Sequence, residues 1–269
     1  MKKIIAVLLL FLPISTVATE VISHRANICG LTENSLEAIE AISLSNVSSV
    51  EIDVRVSSDG IVYLYHDSTV SYTEIKELKY SEVVDLVGSV RAPTLRNVFE
   101  RVQLNGFYIL DLKSPWLEQQ MALVDVVKES KIPQDKIIVQ SHDLQLLQSI
   151  KKKLPKSRYF YLSKLRRQFP FFSAPKPEQI IVDIGDAKIN GVSLKGRRFI
   201  SKDFVQSLQS SSLDVFVWTI NDADRFEYYN RIGVQGIITD RATDFNKLLH
   251  KESVDEVECS SKGSFKSSG

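Results

Sequence analysis

The chain has 269 residues, 43% of them hydrophobic, and sets 34 Lys and Arg against 33 Asp and Glu for a formal net charge of +1. So even a balance excludes the bulk affinity for nucleic acid or anionic membrane surfaces that a basic protein would have, and no nucleic-acid partner is expected. The length suits one large α/β domain with a sizeable core.

Residues 1–18 are predicted to be a signal peptide. Lys2 and Lys3 form its charged start, residues 4–12 its apolar stretch, and Thr16 and Ala18 the small residues of a cleavage site. A single-pass anchor is the alternative, but the apolar run falls well short of the ~20 residues a membrane span needs. Export, to the periplasm or out of the cell, is therefore expected, and loss of Lys2 and Lys3 moves the formal charge from +1 to −1. In an oxidising compartment Cys29 and Cys259 either pair or, since Cys259 sits in a Ser-, Lys- and Gly-rich tail, stay free.

Beyond the leader, β-branched runs alternate with amphipathic stretches. Strands are predicted at 21–24, 50–56, 107–112, 137–140, 159–162, 191–194, 215–219 and 236–239, and helices at 34–45, 94–102, 118–129, 144–153, 202–210 and 223–231. This alternation predicts an α/β fold of the (β/α)8 TIM-barrel type over residues 19–250. A doubly wound open sheet competes, but it normally carries a Gly-rich phosphate loop after its first strand, and none is present. One strand-like run is left over. Residues 61–65 follow Asp59-Gly60, a hairpin turn signal, and predict a small β-hairpin excursion after the second strand. A two-residue turn pairing Ser58 with Ile61 would place His66 opposite Asp53. Residues 251–269 have no periodic apolar pattern and are expected to be a flexible C-terminal tail.

Charged residues gather where these strands end. Glu51 and Asp53 are two apart and share one strand face. Inside a barrel that face is normally aliphatic, and two carboxylates there would repel and lose solvation unless a cation held them. A hard divalent ion with oxygen ligands, Mg²⁺ or Ca²⁺, fits better than zinc; the alternative is an outward, solvated pair. Asp111 and Lys113 repeat the spacing, either as a third metal ligand beside a phosphate-binding cation or as a surface ion pair. His24 and His66, two of only four histidines, reach the same place on independent strands and suit general acid–base work at phosphorus. Arg25 offers a planar fork for phosphate oxygens unless Glu33 holds it in a structural pair. His142 either looks into the mouth of the site or caps the following helix, while His250 is expected to be solvated. Trp218 and Asn221 either wall the site and bind substrate or, for Trp218, fill the core.

These pieces resemble the glycerophosphodiester phosphodiesterase family, whose usual signature runs His-Arg-Gly, Glu-Asn-Thr, Glu-x-Asp with a nearby Asp-Gly turn, His-Asp, then Glu-x-Lys. The chain reads His24-Arg25-Ala26, Glu33-Asn34-Ser35, Glu51-Ile52-Asp53, Asp59-Gly60, His66-Asp67 and Asp111-Leu112-Lys113, with later echoes at Pro93-Thr94-Leu95, Trp218-Thr219-Ile220-Asn221 and 236–240. The resemblance implies His24 and His66 as the acid–base pair, Glu51, Asp53 and Asp111 as metal ligands, and Arg25 and Lys113 as phosphate-binding cations. At the third ligand the family usually has a glutamate, so Asp111 keeps the carboxylate with one methylene less reach.

The implied activity is a metal-dependent hydrolysis of small-molecule glycerophosphodiesters to glycerol 3-phosphate and an alcohol. Two alternatives stand beside it. One is a phospholipase D-like action on lysophospholipids or sphingolipids, for which Phe169-Pro170-Phe171-Phe172 reads as a lipid-facing loop making transient contact with membrane lipids, or else as a packed loop. The other is a catalytically silent binding module, which should have shed a histidine or a ligand; here both histidines and all three carboxylates remain.

Overall fold

The computed structural model describes residues 18–28, 30–70, 72–113, 118–163 and 176–250. Both cysteines, the predicted signal peptide apart from Ala18, the Phe169–Phe172 segment and the predicted tail lie outside the described residues.

The strands are β1 (Glu20–Ser23), β2 (Ser49–Val56), β3 (Val62–Leu64), β4 (Thr69–Val70), β5 (Thr73–Glu74), β6 (Tyr108–Leu112), β7 (Ile137–Ser141), β8 (Arg158–Ser163), β9 (Gly191–Lys195), β10 (Asp214–Trp218) and β11 (Gly236–Thr239). The helices are α1 (Leu36–Ser43), α2 (Tyr80–Val87), α3 (Leu95–Arg101), α4 (Gln120–Glu129), α5 (Leu144–Lys153), α6 (Pro177–Ile184), α7 (Lys202–Ser210), α8 (Ala223–Ile232) and α9 (Ala242–His250). Eight strands run parallel in the order β1-β11-β10-β9-β8-β7-β6-β2, and pairing of β1 with β2 closes the ring. This is the expected (β/α)8 TIM barrel, with β3 as the added antiparallel strand.

The barrel is filled from both sides of its strands. Ile22, Ile109, Ile138, Phe160, Phe216 and Ile238 point inward and form an apolar plug, with the rings of Phe160 and Phe216 4.4 Å apart. Outward residues such as Val50, Ile52, Val54, Val139 and Val192 meet the helices in a second, larger core. Each fully buried side chain of this size contributes about 1.5–3 kcal/mol. Gly191 and Gly236 make room for the plug, since a Cβ would stand 2.6 Å from the Phe160 ring at the first and 2.7 Å from the Phe216 ring at the second. Side-chain caps start several of the helices at the mouth: Ser35 accepts from Ala38 N, Asp143 from Gln145 N and Leu146 N, and Asp222 from Arg225 N.

The excursion corrects one expectation. Val54 pairs with Leu64 and Arg55 with Tyr63, and Tyr65 N–H donates to Asp53 O (3.1 Å), so Tyr65 rather than His66 lies opposite Asp53. The turn is a residue longer than predicted: Ser57 and Ile61 close it, Ser57 Oγ donates to Asp59, and Gly60 takes a left-handed φ of 83°. A slip of one residue reverses the face of every later side chain in a strand, but β3 ends at Leu64 and releases the chain from that alternation before His66. β3 also has a structural reason to exist. β1 meets β2 only at Ser49 and Val50, so the far half of that edge of β2 would be bare without it.

Candidate active site

Alternation along the strands places Glu51, Asp53 and Arg55 of β2, Asp111 of β6 and Gln140 of β7 on the inward face. There they form the layer next to the plug toward the C-terminal mouth. Glu51, Asp53 and Asp111 are all buried, and one carboxylate oxygen from each lies within 4.8 Å of the other two. The outward, solvated alternative for Glu51 and Asp53 is thereby overturned.

Each carboxylate has its own supports. Asp53 Oδ2 accepts from Asn34 Nδ2 (2.9 Å) and pairs with Arg25 Nε (3.2 Å), while Asp53 N–H donates to Asn34 Oδ1 (3.0 Å). Lys113 Nζ sits 3.0 Å from Asp53 Oδ1 and 2.5 Å from Asp111 Oδ2. Glu51 Oε2 accepts from Arg25 N (3.0 Å) and lies 4.0 Å from His24 Nε2. Burial alone would raise the Asp53 carboxyl, but the Lys113 ammonium, the Asn34 amide and the Arg25 guanidinium outweigh it and hold Asp53 below its ordinary value. Burial and the Asp53 charge push Glu51 up to about 8, and burial also raises Asp111 against the opposing Lys113. The protein's own cations therefore compensate Asp53 but leave Glu51 and Asp111 undercompensated.

A metal ion fits this donor set. Three convergent carboxylate oxygens with unbalanced negative charge are what a hard divalent cation binds, and a spacing within 4.8 Å suits metal–oxygen distances of about 2.0–2.6 Å.

The two histidines are held differently. His24 follows β1 in a tight turn where Arg25 and Ala26 both adopt φ of 53°. Such left-handed geometry costs about 1–2 kcal/mol per non-glycine residue, and here it aims Arg25 N–H at Glu51. His24 Nδ1–H donates to Asp240 Oδ1 (2.6 Å), and Asp240 is braced by Asn221 Nδ2 (2.5 Å) and by its own N–H on Asn221 Oδ1 (2.9 Å). Burial lowers the His24 pKa, yet the Asp240 hydrogen bond and the Glu51 charge prevail and leave it raised. Asn221 is thus a brace for Asp240, and not the free substrate contact that the sequence suggested. His66 is more open, its side chain 38% exposed against 18% for His24, and its Nδ1 bonds Asp67 Oδ1 at 2.8 Å.

His24, Arg25, Glu51, His66, Asp111 and Lys113 all line one cleft of about 430 Å³, with Asp53 beneath them. Trp218 walls it, half-buried, its indole N–H without a hydrogen-bond partner among the described residues. His142 also faces the cleft, its Nδ1 on Leu162 O, while Asp143 rather than His142 caps α5. Arg25 does pair with Glu33 (3.0 Å), as the structural reading has it, and the same side chain reaches Asp53 and lines the cleft. His250 is exposed and bonds to Asn246 O within its own helix.

Sequence alone assigned no role to four contributors, although Asn34 and Asp240 stand within its motifs. Asn34 clamps Asp53, Asp240 orients His24, Gln140 lies beside Asp111, and Arg55 ties the excursion to the site. The Arg55 guanidinium donates to Tyr65 O (3.2 Å), His66 O (2.6 Å) and Lys113 O (3.3 Å). Arg55 could have been found by carrying the Glu51–Asp53 alternation one step further. Asp240 carried only the weaker signal of an acid at a strand end.

The chain matches the model of the Glycerophosphoryl diester phosphodiesterase family over residues 24–243. A glycerophosphodiester phosphodiesterase of Caldanaerobacter subterraneus subsp. tengcongensis is 25% identical over 254 residues, covering 87% of this chain and 98% of its own. Among solved structures, a glycerophosphodiester phosphodiesterase from Thermotoga maritima superposes with a TM-score of 0.69 at 26% identity, covering 86% of this chain and 98% of that one. A phosphodiesterase from Oleispira antarctica, solved with the product sn-glycerol-3-phosphate, shares the fold with a TM-score of 0.72 at 22% identity, over 87% of this chain and 98% of that one. The matched span opens on His24 and runs past Asp240, enclosing every side chain that lines the cleft, and the chain belongs to the glycerophosphoryl diester phosphodiesterase family.

Proposed function

We propose that the protein is an exported hydrolase that cleaves glycerophosphodiesters to glycerol 3-phosphate and an alcohol, with His24 and His66 as acid and base. The observation that carries this reading is the single cleft in which two histidines and two phosphate-seeking cations surround a buried cluster of three carboxylates. Glu51, Asp53 and Asp111 would hold a divalent cation, Mg²⁺ or Ca²⁺, whose contribution is to neutralise non-bridging phosphate oxygens and acidify the attacking hydroxyl.

The chain's own groups account for the remaining chemistry. Lys113 donates to Asp111, forms an ion pair with Asp53 at 3.0 Å, and lines the cleft, where its ammonium would meet a phosphate oxygen. Arg25 stands at the cleft wall with its guanidinium already fixed by Glu33 and Asp53, so little freedom is lost when it meets an anion. Asp240 accepts a hydrogen bond from His24 Nδ1–H, which leaves Nε2 as the ring atom that accepts or delivers a proton in the cleft. Asp67 does the same for His66. One imidazole removes the nucleophile's proton as its oxygen bonds to phosphorus; the other gives a proton to the alcohol oxygen as its bond to phosphorus breaks. In the cyclic variant the same exchange serves attack by the glycerol 2-hydroxyl with loss of the alcohol, and run in reverse it lets water open the cyclic phosphate and returns a proton to that hydroxyl.

Incubation of the purified protein with glycerophosphocholine should release glycerol 3-phosphate and choline in equal amounts. Replacing either His24 or His66 by Ala should lower that rate by about 10²–10⁴-fold. Near-normal turnover in either variant would sink the acid–base assignment. Export rests on the leader-like residues 1–18 alone, and N-terminal sequencing of protein recovered outside the cytoplasm should start near Thr19; an intact Met1 there would refute cleavage.

A further inference from the structure

We infer that Gln140 supplies a fourth, uncharged oxygen to the cation site, an inference that rests on the proposed divalent ion. Gln140 is 2% exposed, and its Oε1 is buried without a hydrogen-bond partner among the described residues. An amide oxygen shut away from water and from every donor is costly, and such a group is retained where a ligand completes it. Its place in the fold says which ligand. Gln140 is the register partner of Asp111 across β6 and β7, and both side chains stand on the inward face, each two residues beyond a plug isoleucine. It lines the same cleft as Glu51 and Asp111.

The chemistry is consistent with that position. Three buried carboxylates share two neighbouring cations, Lys113 and Arg25, and Arg25 is shared in turn with Glu33, so an amide adds an oxygen without burying a fourth acid. An amide oxygen is a normal ligand for a hard cation. Asp111 is also one methylene shorter than a glutamate, and the longer Gln140 on the adjacent strand adds an oxygen from that same side.

Calorimetric titration of the chelated, full-length protein with Mg²⁺, Ca²⁺ and Mn²⁺ tests this without reference to turnover. Gln140→Met keeps the volume and removes the oxygen, and should weaken binding about tenfold or more; Gln140→Glu should tighten it. Equal affinity in wild type and Gln140→Met overturns the inference alone, as does a raised KM for glycerophosphocholine at saturating metal with unchanged metal affinity. If Gln140→Met does not fold, Gln140→Glu carries the test, and no gain in its affinity is the contrary result. Wild-type protein that takes up no divalent ion overturns the cation reading and this inference together.

Discussion

A single residue along β6 separates Ile109 from Asp111, and one along β7 separates Ile138 from Gln140, so the apolar plug and the acidic layer are successive steps on the same strand faces. The plug needs nothing beyond shape. Its six side chains fill the barrel and bar water from below. The layer above it is buried to the same degree yet holds three acids that each require a partner, and it recruits those partners from the turn after β1, the turn into α1 and the end of β6. Stability and chemistry are thus stacked a single layer apart, and substitutions should divide cleanly between them.

The largest effect should come from the plug. Phe160→Ala is expected to cost about 3–5 kcal/mol, read as a lower melting temperature, with divalent-ion affinity of the folded protein preserved. Loss of ion binding at full folding would break the separation of layers. Glu51→Gln is expected to do the opposite. It removes an acid whose burial beside Asp53 is unfavourable, so the melting temperature of chelated protein should hold or rise. What disappears is the stabilisation by ion, about 2.7 kcal/mol at a hundredfold excess over Kd; a variant that is still stabilised by Mg²⁺ or Ca²⁺ would remove Glu51 from the site. Arg55→Met strips the donor from three carbonyls and is expected to cost about 1–3 kcal/mol. Amide exchange should quicken across 62–67 while Ile109 and Ile138 stay protected, and exchange that quickens evenly around the barrel would show Arg55 to be a general core residue. Ser35→Ala, which uncaps α1 next to Asn34, should cost about 1 kcal/mol and leave turnover within twofold of wild type.

The barrel was legible because its strands are short, β-branched and buried on both faces, a pattern that few other arrangements share. Three helices were not. The apolar residues of α2, α6 and α9 do recur at helical spacing, but each helix is only eight or nine residues long, too short for the period to separate a helix from a buried strand. The carboxylates, His24 and Lys113 were readable as charged groups at strand ends. Their partners were not, because Asp240 meets His24 across 216 residues of sequence and Asn34 meets Asp53 across 19. The hairpin was visible, but its register depended on how many residues formed the turn, and that was set by Ser57, Asp59 and the left-handed Gly60 together.

The most direct test is phosphorus NMR of glycerophosphocholine with purified protein, followed through chelation and return of a single divalent ion. The phosphodiester signal should give way to that of glycerol 3-phosphate, stop on chelation, and resume when Mg²⁺ or Ca²⁺ is added to wild type but not to Glu51→Gln. Turnover that continues unchanged after chelation, or that returns equally in Glu51→Gln, would show that the buried carboxylates of β2 and β6 do not hold the ion on which hydrolysis depends.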